Sequence, residues 1–229
     1  MNIIKVAFFD LFFTLVKPSY EENEEDNEYY DLDLSREEWE EIAEDHELYN
    51  KRAAGKIGDP ITIIKEVLEK YDIENDESLI NSIAEKRIKR FENCLKQVDD
   101  IILDTLDYLS RKGIRMCLIS NADVIDKTGW DSSPLSRYFE QTIFSCDVGV
   151  LKPDKEIYDI GLKKMRVEAE NAIFIGDGGT GELKGVREVG LKTILVTHYL
   201  GDRRIERIER NREYVDIVVE RFEDLIKYI

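Results

Sequence analysis

The sequence predicts an α/β fold, in which a parallel sheet carries helices on both faces and is joined to a small all-helical domain. Short apolar runs recur along the chain, and longer amphipathic stretches separate them. Strands that alternate with helices of this length are typical of a parallel sheet with crossover helices. The stretch after the first apolar run has no strand-like pattern and predicts the separate helical domain.

The first predicted strand is the apolar run from Ile3 to Phe9, which only Lys5 interrupts. A continuous run of this kind indicates a strand that is buried on both faces of the sheet. Similar runs predict five further strands, at Ile114–Ile119, Thr142–Phe144, Ala172–Ile175, Thr193–Val196 and Ile217–Val219. The intervening patterns predict helices at Asp99–Arg111, Asp154–Lys164, Glu182–Val189 and from about Arg221 to the end of the chain.

Residues 17–96 are predicted to be helical and to form a domain inserted into the α/β core of residues 1–16 and 97–229. Ser35 followed by Glu38 predicts a capping box that opens one helix. Asp59-Pro60 predicts the start of a second helix, because proline is favoured at the first helical position. Asp76–Leu95 supplies a third. The acidic run from Glu21 to Asp33 predicts a solvated face or loop, or alternatively an interaction segment.

The composition excludes several classes of protein. The 229 residues carry a formal net charge of −17, and phosphate contacts need clustered Lys and Arg, so we expect no nucleic-acid partner. The same charge argues against docking on anionic membranes, and no apolar run approaches the roughly 20 residues that span a bilayer. The three scattered cysteines predict neither disulfides nor a zinc site. We therefore expect a cytoplasmic protein.

Polar residues come after several of the predicted strands. Asp10 closes the first strand, Ser120-Asn121 follows the second, Lys152-Pro153 follows the third, and Asp177 follows the fourth, five residues before Glu182. Ligands of open parallel sheets bind at the carboxyl ends of the strands. These residues are therefore expected to lie close together at one edge.

In this order and at these strand ends, the residues resemble the motifs of the haloacid dehalogenase-like hydrolase superfamily. Asp10–Leu15 looks like the first motif, Ser120 the second, Lys152 the third, and Asp177 with Glu182 the fourth. The resemblance covers essentially the whole chain. It implies a Rossmann-like core, with residues 17–96 in the position of the cap domain of many members.

The resemblance also implies a mechanism and a cofactor. Asp10 would be a carboxylate nucleophile that forms a covalent aspartyl intermediate, with Lys152 and Ser120 as catalytic partners. Asp10, Asp177 and the main-chain carbonyl of Phe12 would hold magnesium through oxygen ligands. Glu182 would join them directly or through water, or would only cap its helix.

Four residues are expected to contact the substrate, which is predicted to be a small anionic and phosphorylated metabolite. Phe13 and Thr14 come from the first motif, Asn121 from the second, and Arg52 from the predicted cap. Arg52 belongs to the most basic stretch of the cap, which we expect either to face the active site or to form a solvated turn.

Phe12 departs from the pattern of the superfamily's phosphatases, which usually carry a second aspartate at this position as general acid and base. A phenyl ring transfers no proton, so the expected loss of rate is on the order of 10²–10⁴. The superfamily's metal-independent 2-haloacid dehalogenases carry an aromatic residue here, since a halide leaves without protonation; Arg36 or Arg52 would then contact the halide.

Three functions thus stay open. The fourth motif, Gly176-Asp177, favours a metal-dependent phosphohydrolase, because the superfamily's dehalogenases lack this pattern. Phe12 favours a dehalogenase. Phe12 and Phe13 together are compatible with a catalytically weak relative that binds a ligand or a protein.

Overall fold

The computed structural model describes residues 3–229, and within them one parallel sheet has six strands in the order β3-β2-β1-β4-β5-β6. The strands are β1 (Val6–Phe9), β2 (Arg115–Ser120), β3 (Gln141–Phe144), β4 (Ala172–Gly176), β5 (Lys192–Val196) and β6 (Ile217–Val219). Each of the six apolar runs that predicted a strand forms a strand, and the observed ends lie within three residues of the predicted ends.

The central strands are buried on both faces, as continuous apolar runs predict. β1 is buried throughout, and its alternate residues enter two separate apolar clusters: Phe9 lies in one and Phe8 in the other. Helix α5 (Asp100–Arg111) packs on the Phe9 side, and helices α7 (Lys155–Met165) and α8 (Glu182–Glu188) pack on the Phe8 side. The predicted α/β sheet with helices on both faces is confirmed.

Two further helices of the core were not predicted, and the predicted terminal helix is of the 3-10 type. The short helix α6 (Ser145–Val148) follows β3, and helix α9 (Arg204–Asn211) lies between β5 and β6. The predicted helix from Arg221 is instead a 3-10 helix over Phe222–Lys227. Phe222 and Leu225 of this short segment are buried against the sheet, so tertiary packing holds the segment in place.

Four helices lie between β1 and α5, where the sequence predicted helices: α1 (Arg36–Ala43), α2 (His46–Ala53), α3 (Pro60–Lys70) and α4 (Glu77–Lys96). The predicted capping box opens α1, with both hydrogen bonds between Ser35 and Glu38 formed. Asp59 and Asp76 cap α3 and α4. These helices share an apolar cluster of their own, which includes Trp39 and Phe91. The division into two domains at residues 17 and 96 stays a prediction.

The acidic run forms two 3-10 helices, Glu24–Asp26 and Glu28–Leu32. The second packs against α4, and Asp26 of the first pairs with Lys89 of α4. Glu28 is fully buried and forms an ion pair with Arg90 at 2.9 Å. The prediction of a solvated face or loop is therefore wrong for Glu28, because the basic residues of α4 bind this segment within the chain. Among residues 3–229, no helix is both long and apolar enough to cross a membrane.

Candidate active site

The carboxyl ends of three adjacent strands bring the candidate site residues together. Because β1 lies between β2 and β4, Asp10 at the end of β1 has Ser120 on one side and the Asp177 loop on the other. Lys152 reaches the same edge from the segment between α6 and α7. All four side chains are buried. The sequence-based expectation that these residues share one edge of the sheet is met.

Lys152 lies between two carboxylates. Its Nζ donates to Asp10 Oδ1 at 2.5 Å and to Glu182 Oε2 at 2.6 Å. Burial alone would lower the pKa of the Lys152 ammonium, but the charges of Asp10 and Glu182 outweigh it and raise this pKa above its ordinary value. The lysine therefore supplies a fixed positive charge beside Asp10.

The turn after β1 holds Asp10 from its other side. The Thr14 hydroxyl donates to Asp10 Oδ2 at 2.9 Å, so both oxygens of the Asp10 carboxylate accept a hydrogen bond. Phe13 has a φ of 59°, a left-handed conformation that non-glycine residues adopt rarely, and its ring lies 5.2 Å from the Arg203 guanidinium. Thr14 thus contacts the candidate nucleophile, and the substrate contacts of Thr14 and Phe13 stay predictions.

Three buried carboxylates form the group that could hold a metal ion. Asp10, Asp177 and Glu182 each offer an oxygen, and these oxygens lie within 4.8 Å of one another. Hard cations such as magnesium prefer oxygen ligands of this kind. Gly176 permits the close approach of Glu182, since a Cβ at that position would lie 2.2 Å from Glu182 Oε1. The residues therefore fit a divalent cation.

The main-chain carbonyl of Phe12 was predicted as a further ligand. In the turn after β1, the Leu11 carbonyl accepts from Leu15 and Val16, and the Val16 carbonyl accepts from Phe13. The Phe12 carbonyl is not an acceptor in these turn hydrogen bonds, which join residues that the structure describes. It therefore stays a candidate ligand.

Burial raises the pKa of two of the three clustered carboxylates. It raises the pKa of Asp177 above its ordinary value, and the Asp10 charge raises it further, while Arg207 opposes the shift. Burial likewise raises the pKa of Glu182, against the opposing charge of Lys152. Among the described residues, Lys152 and Arg207 form the ion pairs with these three carboxylates, so one negative charge has no paired cation when all three are ionised. A bound cation would relieve that repulsion.

Ser120 and Asn121 lie where expected, but the Asn121 amide has partners within the chain. The Ser120 hydroxyl donates to the Asn121 carbonyl at 3.2 Å. The Asn121 side chain donates to the Lys152 carbonyl and accepts from the Lys152 N–H, at 2.9 and 2.7 Å. Asn121 therefore positions the backbone of Lys152, and its predicted role in substrate binding stays a prediction.

Arg52 and Arg36, the two arginines considered for contacts with substrate, are both engaged elsewhere. Arg52 is buried, forms an ion pair with Asp123 at 2.7 Å and donates to the Ala43 carbonyl. Arg36 pairs with Glu40 at 2.9 Å on the surface of α1. Arg52 thus joins the helices to the loop after β2, and the structure does not bring it into the group around Asp10.

One residue of the site was missed by the sequence analysis. Arg207 on α9 donates through Nη1 to Asp177 Oδ2 and to the Asp177 carbonyl, the latter at 3.0 Å. α9 has only two apolar residues, Ile205 and Ile208, and its other six residues are charged or polar, so its apolar signal is too short to reveal a helix by itself. The spacing of Arg207, Arg210 and Asn211 was the available signal, because such residues share one helical face.

Comparison with known proteins identifies a family. A family model described as haloacid dehalogenase-like hydrolase matches residues 4–190. Bifunctional epoxide hydrolase 2 of Sus scrofa is 34% identical over 106 residues, which cover 44% of this chain and 19% of that protein. A glyceraldehyde 3-phosphate phosphatase of Methanothermobacter thermautotrophicus is 26% identical over 117 residues, which cover 50% of this chain and 51% of that protein.

The fold has similar solved structures. A crystal structure of a dehalogenase superposes with a TM-score of 0.68 at 16% identity, and the match covers 100% of this chain and 98% of that chain. At this identity the likeness shows the fold alone. The matched segments of the two curated relatives span about a fifth and about half of those proteins.

Proposed function

This chain belongs to the haloacid dehalogenase-like hydrolase family, and on that premise we propose that it is a metal-dependent phosphohydrolase with Asp10 as its nucleophile. The observation that carries the proposal is the group of three buried carboxylates, Asp10, Asp177 and Glu182, whose oxygens lie within 4.8 Å of one another. Burying three like charges is costly unless cations balance them, and Lys152 with Arg207 balances only two. A bound divalent cation would balance the charge of the third carboxylate.

The proposed metal ligands are Asp10, Asp177, Glu182 and the Phe12 carbonyl, and the proposed metal is magnesium. When bound, the ion would neutralise the charge between the Asp10 carboxylate and an anionic phosphoryl group. The phosphatase among the similar proteins supports a small phosphorylated substrate. We propose a cytoplasmic phosphorylated metabolite as that substrate.

The proposed reaction has two steps at Asp10. One carboxylate oxygen attacks phosphorus, the bond from phosphorus to the leaving oxygen breaks, and an aspartyl-phosphate forms. Water then attacks phosphorus, the acyl-phosphate bond breaks, and inorganic phosphate and the free carboxylate are released. Lys152 orients the carboxylate and, with the Ser120 hydroxyl, stabilises the phosphoryl oxygens. Thr14 fixes the second oxygen of Asp10.

Phe12 restricts the substrates that this site can hydrolyse well. No acid stands two residues after Asp10, so the leaving oxygen must depart without a proton from that position. Acyl and aryl phosphates meet this condition, because their leaving groups are weak bases. We therefore propose that such activated phosphates are hydrolysed faster than alkyl phosphates.

We further propose that residues 17–96 act as a cap over this edge of the sheet. Tyr49 on α2 donates to the Asn121 carbonyl at 3.2 Å, and Ser145 of the core donates to the Ala53 carbonyl at 2.7 Å. Phe12 packs edge-to-face on Phe91 of α4, with ring centroids 5.6 Å apart. The helices therefore contact the segments that follow β1, β2 and β3, where a cap would control access to the site.

The direct test measures phosphate release from acetyl phosphate and p-nitrophenyl phosphate, with magnesium and with chelator. We expect release that depends on magnesium and that Asp10→Asn abolishes. Asp159→Asn is the matched control, because Asp159 is exposed on α7, and it should leave the rate unchanged. If neither phosphate compound is hydrolysed, and chloride is released from 2-chloropropionate with chelator present, the proposed phosphohydrolase function is excluded.

That second result would establish the other candidate, a metal-independent 2-haloacid dehalogenase. The observation in its favour is the aromatic ring of Phe12 beside Asp10. Two observations weigh against it: Asp177 and Glu182 complete an acidic group that a metal-free reaction does not need, and Arg52 is already paired with Asp123.

A further inference from the structure

The Asp177 carboxylate is bound by an arginine from outside the strand-end motifs. Arg207 Nη1 donates to Asp177 Oδ2 and to the Asp177 main-chain carbonyl, and both side chains are largely buried, at 14% and 8% exposed. The other carboxylate oxygen, Oδ1, accepts from the Gly179 N–H at 2.9 Å. Both oxygens of this proposed metal ligand therefore already have a donor.

α9 is fixed to the Asp177 loop at more than one point. Arg210 and Asn211, which lie three and four residues after Arg207, both donate to the Gly178 carbonyl at 3.1 Å. Residues at this spacing share one helical face. Gly178 has a φ of 72°, and a Cβ there would lie 2.6 Å from Asn211 Nδ2, so the loop and the helix pack closely. The guanidinium is thus held at Asp177 by the packing of a whole helix.

We propose that Arg207 is an internal competitor for the metal and sets the affinity of the site for a divalent cation. The inference rests on the proposed metal-dependent function. A cation that binds Asp177 meets a guanidinium on the same carboxylate, and the two positive charges repel each other in a buried site. The metal therefore binds only by moving Arg207 from Asp177 Oδ2 or by tolerating its charge.

If Arg207 competes with the metal, its removal should change the metal affinity in the opposite direction from the change expected if it only holds the loop in shape. If Arg207 competes, its removal frees Asp177 Oδ2 and metal binding becomes tighter. If Arg207 only holds the Asp177 loop in shape, its removal disorders a ligand and metal binding becomes weaker. By reciprocity of the two binding equilibria, competition also requires that the metal loosen the contact between α9 and the loop.

The test measures binding of Mn²⁺ alone, by electron paramagnetic resonance, to the wild type, Arg207→Gln and Arg207→Lys. We expect Arg207→Gln to tighten Mn²⁺ binding roughly tenfold or more, and Arg207→Lys to stay near the wild type because it keeps the charge. Arg204→Gln is the matched control: Arg204 lies on the same helix but pairs with the exposed Glu220, so its variant should bind Mn²⁺ as the wild type does.

Hydrogen exchange supplies the second readout. Mn²⁺ should lower the protection of the α9 amides in the wild type and leave it unchanged in Arg207→Gln. If the wild type binds Mn²⁺ and Arg207→Gln binds it equally or more weakly, the proposed competition is overturned but the metal-dependent function is not. Absence of Mn²⁺ binding in all variants overturns the metal-dependent function, and the competition with it.

Discussion

The side-chain amide of Asn121 binds both backbone groups of Lys152: Nδ2 donates to the carbonyl at 2.9 Å and Oδ1 accepts from the N–H at 2.7 Å. The residue after β2 thereby fixes the segment that carries the candidate catalytic lysine. Lys152 Nζ in turn donates to Asp10. The second and third motifs thus act on the nucleophile through one continuous chain of contacts.

We expect Asn121→Ala to lower kcat by roughly 10- to 100-fold, because small displacements of a catalytic group are costly. KM should change by much less than kcat, since the amide is occupied by Lys152. Phosphate release from acetyl phosphate over a range of concentrations measures both constants. Asn93→Ala, which removes an amide paired with Glu21 on the helical segment, is the control. A rise in KM at constant kcat would instead support direct substrate binding by Asn121.

Phe12→Asp should restore proton transfer to the leaving group, at a cost in stability. We expect hydrolysis of alkyl phosphates to rise by at least about tenfold, and by more than that of acyl phosphates, because only alkoxide leaving groups need the proton while base catalysis of the second step serves both substrates. Rates on β-glycerophosphate and acetyl phosphate, measured side by side, give the comparison.

The stability cost follows from the packing of the Phe12 ring. It contacts Phe91 of α4 and packs against the apolar clusters of both the sheet and the helices. Truncation of a fully buried phenylalanine to alanine costs about 3–5 kcal/mol of unfolding free energy. Phe12→Ala should lose less than this, because the Phe12 ring is only half-buried. Phe12→Asn separates the two effects: it loses the same packing but supplies no acid. Equal gains for the Asp and Asn variants would contradict the missing-acid explanation.

Much of the sheet and its edge could be predicted because both follow from local sequence. A strand buried on two faces must be apolar throughout, so β1 and β4 are visible as runs. Parallel strands end at one edge, so Asp10 and Asp177 could be placed near each other before any coordinates were known. Lys152, which lies beyond the short helix α6 that follows β3, was identified by its resemblance to the third motif of the family.

The remaining parts depend on contacts between segments that are distant in the chain. Arg207 binds Asp177 from a short helix whose sequence has only two apolar residues. Glu28 is buried because Arg90, 62 residues later, supplies its counter-charge. Phe12 was interpreted by its chemistry alone, while its packing on Phe91 depends on where α4 lies. No local pattern specifies these pairings.

Asp126 makes the stability of the fold depend on pH. Burial, with the charge of Asp123, raises the Asp126 pKa to about 7, against the opposing charge of Arg87. Between the ordinary pKa of about 4 and about 7, the folded state holds a proton that the unfolded chain releases. The stability from this group is complete below about pH 4 and is lost as the pH rises to 7.

Asp126→Asn should remove this pH dependence, because an amide does not titrate in this range. Its amide oxygen can still accept the hydrogen bond that the Asp123 N–H donates to Asp126 Oδ2 at 3.0 Å. The unfolding free energy of the variant relative to the wild type should rise by about 2–3 kcal/mol from pH 5 to pH 8. Urea unfolding at the two pH values measures this gain. Asp159→Asn should follow the wild type, and an equal difference at both pH values would refute the assignment to Asp126.

The ion pair between Glu28 and Arg90 should hold the acidic segment on α4. Both side chains are buried, at 0% and 7% exposed, and their charged atoms lie 2.9 Å apart. Removing either charge leaves the other buried without its partner, so Glu28→Gln and Arg90→Met should each lose roughly 3–5 kcal/mol of unfolding free energy. Urea unfolding measures each loss. Lys89→Met, which removes the exposed pair with Asp26, is the control and should lose less than about 1 kcal/mol.

The double variant Glu28→Gln/Arg90→Met tests whether the two charges act together. Because neither charge is then left alone in the interior, the double variant should lose less unfolding free energy than the two single losses added. Arg90 also lies over the rings of Tyr20 and Phe91, at 4.5 and 4.8 Å, so Arg90→Met keeps an unbranched apolar side chain there to limit the loss of packing. Strictly additive losses would show that the segment is held by this packing and not by the ion pair.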